Sequence, residues 1–249
     1  MTAFHVLLAV LAALFASMAV YAALGRRSDP DATRKGSQFL LGVGDFLVHW
    51  FMWLITPAER LFLRLGFTPD VFNFAGLALG LASGLLIALG RLELGGWAIA
   101  LGGVCDIFDG RIARALGVAS PYGKFIDSTF DRFVEVFAFL GFVVYLRDTP
   151  FGPLLAAAAM AGSLLVSYAQ ARGETVGVSG SGGLMRRAER LVLMCLVCLT
   201  DRELSARLGR PPGTAVLWVL GFMAVATFAT AAHRTIWIAR RLRERDRPR

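Results

Sequence analysis

Seven stretches of this 249-residue chain are apolar over much of the length a membrane crossing needs, and nothing else in it limits the fold so strongly. They fall at 3–24, 70–89, 94–116, 123–146, 152–171, 188–200 and 213–239. A helical span takes about 20 residues, whereas a barrel strand takes about 9–11. Lipid offers no hydrogen bonds to the backbone, so each stretch must satisfy its own peptide groups as a helix. The stretch at 188–200 is short and must extend into its flanks or tilt. With 56% hydrophobic residues and a mean hydropathy of +0.61, the chain has no room for a separate soluble domain. The expected fold is all-α, a polytopic membrane helical bundle.

The net charge of +8 invites a nucleic-acid reading, but its distribution points to a membrane. With the spans alternating in direction, Arg91, Arg147, Arg202, Arg207 and Arg210 fall on one side and the other 21 of the 26 Lys and Arg on the opposite side. The positive-inside rule makes that richer side cytoplasmic, with the N-terminus outside and the C-terminus inside. No nucleic-acid partner is expected, and the localisation is the inner membrane. Residues 1–24 could serve as a secretory signal. However, no Lys or Arg precedes the apolar run, and cleavage would export Arg26, Arg27, Arg34 and Lys35, so an uncleaved anchor is expected.

Four carboxylates, Asp106, Asp109, Asp127 and Asp131, interrupt the third and fourth spans at their cytoplasmic ends. Ionisable residues at such depth are costly and mark function by default. At about 100° per residue, Asp106, Asp109, Gly110 and Ala113 share one helical stripe, and Gly123, Asp127 and Asp131 share another. Two facing helices would gather the four carboxylates round one point, with small residues leaving room beside them. Pairing with Arg111, Arg114, Lys124 and Arg132 would balance their charge, but would not explain why Gly110, Ala113 and Gly123 line the same faces. Hard, oxygen-ligated Mg²⁺ or Mn²⁺ suits the set, and two ions per site is the arrangement that phosphoryl chemistry uses.

The pattern Asp106-x2-Asp109-Gly110-x2-Ala113-Arg114-x8-Gly123-x3-Asp127-x3-Asp131 resembles the signature of the CDP-alcohol phosphotransferase family at all eight of its defined positions. The resemblance runs from about Thr68 to the end of the chain. It implies a six-helix membrane core, here with an extra N-terminal transmembrane helix and an interfacial amphipathic helix. It also implies a transferase that passes a phosphatidyl group from CDP-diacylglycerol to an alcohol acceptor and releases CMP. In such an enzyme Asp106, Asp109 and Asp127 hold the metals, with Asp131 sharing one and acting as general base. Asp106, Asp109, Gly110, Ala113, Arg114 and Gly123 shape the nucleotide pocket.

The remaining chain divides by composition. Residues 1–38 make the anchor and a polar linker containing Pro30 and Gly36. Residues 39–67 interleave Trp50, Phe51, Trp53 and Phe62 with His49, Glu59, Arg60 and Arg64, which suits a helix lying in the interface and broken at Pro57. The membrane domain follows at 68–239. Thr68-Pro69-Asp70 opens it as N-cap, first helical residue and acidic first turn, where the family usually has Thr-Pro-Asn. Gly76, Gly80 and Gly84 form a double G-x-x-x-G that permits close approach within the bundle or across a homodimer. Cys195-x2-Cys198 has metal-like spacing, but it lies mid-span with no second pair and reads as apolar packing. The arginine-rich tail at 240–249 reads as a stop-transfer flank touching anionic lipid.

Arg172 ends one span, and Arg187 and Arg190 begin the next beyond a Gly/Ser-rich loop at 177–183. Guanidinium forks bind phosphate, so the three form a candidate anion pocket. The run Ser167-Tyr168-x-Gln170-Ala-Arg172-x-Glu174, followed by Arg187-x-Glu189-Arg190-Leu191, resembles the bacterial phosphatidylinositol-phosphate synthase branch. That resemblance implies that Arg172, Arg187 and Arg190 hold the phosphate of a phosphorylated polyol such as inositol phosphate. Gln170 stands where the branch tends to have Lys. Two other readings remain: a phosphatidylglycerolphosphate synthase, which shares the signature and differs in the acceptor pocket, and a cation-conducting protein. The latter would want acidic residues at mid-depth on several spans.

Overall fold

The computed structural model describes residues 3–24, 43–178 and 185–246. The polar linker, the start of the amphipathic segment, most of the Gly/Ser-rich loop and the end of the basic tail lie outside the described residues. Among the described residues there are eight helices and no strand. They are α1 (Ala3–Ala23), α2 (Val43–Arg64), α3 (Pro69–Ala88), α4 (Leu92–Ala115), α5 (Pro121–Tyr145), α6 (Gly152–Thr175), α7 (Arg187–Arg207) and α8 (Thr214–Arg245). Helices cover all seven expected spans. By length and composition alone, α1, α3, α6 and α8 suffice to cross a membrane. The other three, α4, α5 and α7, fall short of that measure because charged residues occupy several of their turns, including all four aspartates of the signature.

Two compact units divide the chain. The first holds Met1–Phe72 and Phe108–Ala119. In it α1 is apolar along its whole length, and its partner is the aromatic side of α2. Trp50 Nε1 donates to Ser17 Oγ at 3.0 Å, and the Tyr21 ring sits 5.5 Å from Trp53 and 5.6 Å from Phe46. The expected break at Pro57 is absent: α2 runs continuously through it. Proline removes one N–H there, which costs the Trp53 carbonyl its helical donor, while the neighbouring Thr56 hydroxyl donates to the Met52 carbonyl at 2.6 Å.

The second unit holds Asn73–Ile107 and Ser120–Arg249. Its core is built from Phe139 and Phe142 of α5 and its C-cap Leu146, Met194 of α7, and Leu220 and Met223 of α8, all fully buried. The glycine stripe of α3 serves this unit internally. A Cβ at Gly80 would come within 2.9 Å of Val134 Cβ, one at Gly84 would strike the Phe137 backbone, and one at Gly76 would lie 3.6 Å from Cys105 Cβ. Contact with α5 therefore requires glycine at 80 and 84, whereas Gly76 meets α4 at an ordinary packing distance, whether or not a second copy binds. Thr68 precedes α3 as expected, its carbonyl accepting from Val71 N at 3.2 Å. The start of α8 is capped from afar. Asp201 of α7 accepts from Gly213 N at 2.7 Å and Val216 N at 3.1 Å, taking up amides that the first turn leaves unpaired.

Candidate active site

Asp106 and Asp109 stand one turn apart on the continuous helix α4, and Asp127 projects from the second turn of α5. Each offers a carboxylate oxygen, and the three oxygens lie within 4.8 Å of one another. Oxygens bound to one Mg²⁺ at 2.0–2.1 Å in an octahedron stand about 3–4 Å apart, so a small inward movement would let these three share an ion. The start of α5 is set by Ser120, whose Oγ accepts from Gly123 N at 3.2 Å, with Pro121 following at the first helical position. That cap aims the Asp127–Asp131 stripe. Gly110 faces its own helix's Arg114, since a Cβ there would lie 3.2 Å from Nη1. Gly123 has only Ser120 Oγ nearby, and Ala113 is half-buried.

Arg111 pairs with Glu59 of α2, and Arg132 donates to the Ser128 carbonyl of its own helix. A cation from a distant helix reaches the cluster: Arg187, from the first turn of α7. Its Nη1 lies 2.8 Å from Asp106 Oδ1 and its Nη2 2.6 Å from Asp131 Oδ1, so one guanidinium spans α4 and α5. Its Nε is buried with no hydrogen-bond partner among the described residues. Asp131 thus stands beside the three-carboxylate cluster, joined to it through Arg187.

The three arginines expected to share an anion have different surroundings. Arg190 is 1% exposed and engaged by Glu135 of α5, itself 2% exposed. Its Nε donates to Oε1 at 2.7 Å and its Nη2 to Oε2 at 3.0 Å, while Nη1 reaches the Met185 carbonyl at 2.8 Å. Ser163 of α6 completes the group, donating to Glu135 Oε2 at 3.0 Å. Glu189 caps its own helix, accepting from Arg186 N at 2.6 Å. Arg172 is exposed on α6, on the wall of a 540 Å³ groove that is otherwise almost wholly apolar and shared with α8.

Two functional candidates escape the sequence reading. Glu135 continues the stripe of Asp127 and Asp131 at the next i+4 step, a signal that was available. Arg234 is a single arginine inside the last apolar stretch, and an intramembrane ionisable residue is itself a flag. It is buried, donating to Gln170 Oε1 at 2.8 Å and to the Val166 carbonyl at 3.1 Å, and its Nε has no partner among the described residues. Gln170 also donates to Glu174 at 3.2 Å. The position where the related branch tends to carry Lys therefore holds an amide that orients an arginine from α8.

Residues 67–238 match the CDP-alcohol phosphatidyltransferase family model. The phosphatidylinositol phosphate synthase of Mycobacterium tuberculosis is 31% identical over 195 residues, covering 75% of this chain and 87% of the relative. The enzyme of that name from Streptomyces avermitilis is 34% identical over 205 residues, covering 79% and 82%. The crystal structure of the Mycobacterium tuberculosis enzyme with CDP-DAG bound superposes with a TM-score of 0.64 at 30% identity, over 74% of this chain and 92% of that one. The same enzyme in complex with manganese and citrate also gives 0.64 at 30% identity, over 73% and 88%. The chain belongs to the CDP-alcohol phosphatidyltransferase family. It is an integral membrane transferase of phospholipid synthesis, and Asp106, Asp109 and Asp127 form a carboxylate set able to hold a divalent metal.

Proposed function

We propose that this enzyme moves a phosphatidyl group from CDP-diacylglycerol to a phosphorylated polyol, with inositol phosphate the leading acceptor, and releases CMP. The observation that carries the reading is the apposition of two chemistries: a cluster of carboxylates fit for metal, and Arg187 beside it with one nitrogen buried and unpartnered. The named relatives, phosphatidylinositol phosphate synthases, support the acceptor class.

In this reading Asp106, Asp109 and Asp127 hold two ions, Mg²⁺ or Mn²⁺, with Asp131 sharing one. A divalent metal held by these residues would supply positive charge to the CDP-lipid pyrophosphate. Gly110, Ala113 and Gly123 give the nucleotide clearance, and Arg114 offers it charge. Asp131 takes the proton of the acceptor hydroxyl. The hydroxyl oxygen then bonds to the phosphorus that carries the diacylglycerol, and the bond from that phosphorus to CMP breaks. Arg187 and Arg234 hold the acceptor's phosphate, Arg172 stands at the outer edge of that pocket, and Arg190 braces it through Glu135. Residues 68–239 form the catalytic domain in the inner membrane with the site facing the cytoplasm. Residues 1–38 anchor it, 39–67 lie at the interface, and 240–249 touch anionic lipid; a homodimer is compatible with this layout.

Release of CMP from CDP-diacylglycerol, measured across candidate alcohols in purified membranes, tests the proposal. Inositol phosphate should support turnover and free inositol should not, since free inositol brings no phosphate for the Arg187 and Arg234 forks to hold. Turnover with glycerol 3-phosphate alone would move the assignment to a phosphatidylglycerolphosphate synthase. Asp109→Asn should lower CMP release by more than about a hundredfold, the upper range for disturbing even a metal's outer contacts. Undiminished release by that variant at limiting Mg²⁺ would overturn the metal site.

A further inference from the structure

Helix α2 lies ahead of the residues that match the family, yet within the first compact unit it grips the signature helix α4 on both sides of Asp109-Gly110. On one side is Phe108, 5% exposed, whose ring stands 5.0 Å from that of Phe62 at 84°; Phe72 closes the cluster 5.0 Å from the same Phe62 ring. On the other side is Arg111, 6% exposed, paired with the carboxylate of Glu59, which is 13% exposed. Thr56 Oγ1 also accepts from Arg111 Nη2 at 3.4 Å. Phe108 and Arg111 are three residues apart and share one face of α4, whereas Asp109 is turned roughly 100° or more away from both.

We propose that Glu59 is a positioning residue for the metal site. By fixing Arg111 while Phe62 fixes Phe108, it sets the rotation of the α4 turn that carries Asp109. The inference rests on the metal reading above. A guanidinium fork held by a carboxylate resists rotation in a way that apolar contact does not. Metal ligands also tolerate only about 0.5 Å and 10–20° of misplacement. The segment that the family resemblance leaves without a purpose thereby acquires one.

The test uses the full-length protein in lipid nanodiscs, with Mn²⁺ alone as the probe, bound Mn²⁺ being read by electron paramagnetic resonance. Glu59→Gln removes the Glu59 carboxylate from Arg111, and the paired variant Glu59→Leu/Arg111→Met accompanies it to separate folding from positioning. Exchanging a buried ion pair for apolar residues of similar volume commonly preserves stability. The paired variant should keep the wild-type melting temperature within a few degrees while its Mn²⁺ dissociation constant rises about tenfold. At saturating Mn²⁺ the KM for CDP-diacylglycerol should stay within about twofold of wild type, a split that general loosening of the fold would not produce. The charge-exchanged pair Glu59→Arg/Arg111→Glu should recover Mn²⁺ affinity.

Wild-type Mn²⁺ affinity in a folded paired variant would overturn the proposal. So would failure of both variants to fold, or parallel loss of melting temperature, Mn²⁺ binding and lipid KM, since the pair would then be a stability element only. Asp109→Asn separates the two readings. If it abolishes Mn²⁺ binding while the paired variant binds normally, only the role of Glu59 fails. If Asp109→Asn binds Mn²⁺ normally, the metal reading fails with it.

Discussion

Arg187 and Arg190 begin the same helix three residues apart and serve different chemistry. Spacing groups them as phosphate ligands. In the fold, Arg187 is about one-quarter exposed and reaches Asp106 and Asp131, while Arg190 is enclosed with Glu135. Their alanine variants should therefore fail in different ways. Arg187→Ala should leave the protein folded and raise the KM of the phosphorylated acceptor by roughly ten- to a hundredfold, the loss of one charge-assisted contact of about 1.5–3 kcal/mol. Arg190→Ala strands a buried carboxylate, which should destabilise the fold by about 3–5 kcal/mol. Thermal unfolding in detergent, read beside acceptor kinetics, separates the two. A well-folded Arg190→Ala enzyme with only a raised acceptor KM would make Arg190 a ligand after all. Glu135 shows the limit of residue-scale reading. Its place on the aspartate stripe is visible in the sequence, but the depth that makes it a buried counter-ion is not.

At the scale of the element, the helices are legible wherever local chemistry governs them. Ser120-Pro121 starts α5 and Thr68-Pro69 starts α3 by ordinary capping rules. The exceptions are a proline that its helix absorbs and a helix start capped from a distance. Pro57 does not break α2, and α8 begins after Gly213, whose φ of +92° suits a residue without a Cβ. Its cap is the side chain of Asp201, twelve residues earlier and on another helix. Asp201 also accepts from Ser205 Oγ at 3.3 Å, and Ser205 in turn accepts from Ala215 N at 3.3 Å. Asp201→Ala would orphan these amides at a buried helix start. A loss of about 1–3 kcal/mol is expected, read as a fall in melting temperature with little change in the KM of either substrate. An unchanged melting temperature would show that the cap adds nothing. The glycine stripe of α3 carries a related lesson: the sequence marks it as a close-contact surface, but only the fold shows α4 and α5 lying against it.

For the whole molecule, the orientation argument makes its own prediction. A single cysteine placed at Gly177, in an otherwise cysteine-free enzyme, should react with a membrane-impermeant reagent only from the cytoplasmic side, and one placed at Leu208 only from outside. The reverse pattern would put the carboxylates on the wrong side for a cytosolic CDP-lipid headgroup and overturn the mechanism. The sequence alone determined the all-helical class, the seven apolar segments that helices cover, and the spacing that stripes four aspartates on two of those helices. Span length, charge bias and the i, i+4 spacing of the aspartates are properties of neighbouring residues, and they survive in a one-dimensional reading. Only the tertiary structure decided which partner each buried charge takes: Arg187 with Asp106, Arg190 with Glu135, Arg111 with Glu59 and Arg234 with Gln170. Those pairs lie between 52 and 81 residues apart. They depend on how each helix is rotated about its own axis, and packed side chains from other helices set that rotation.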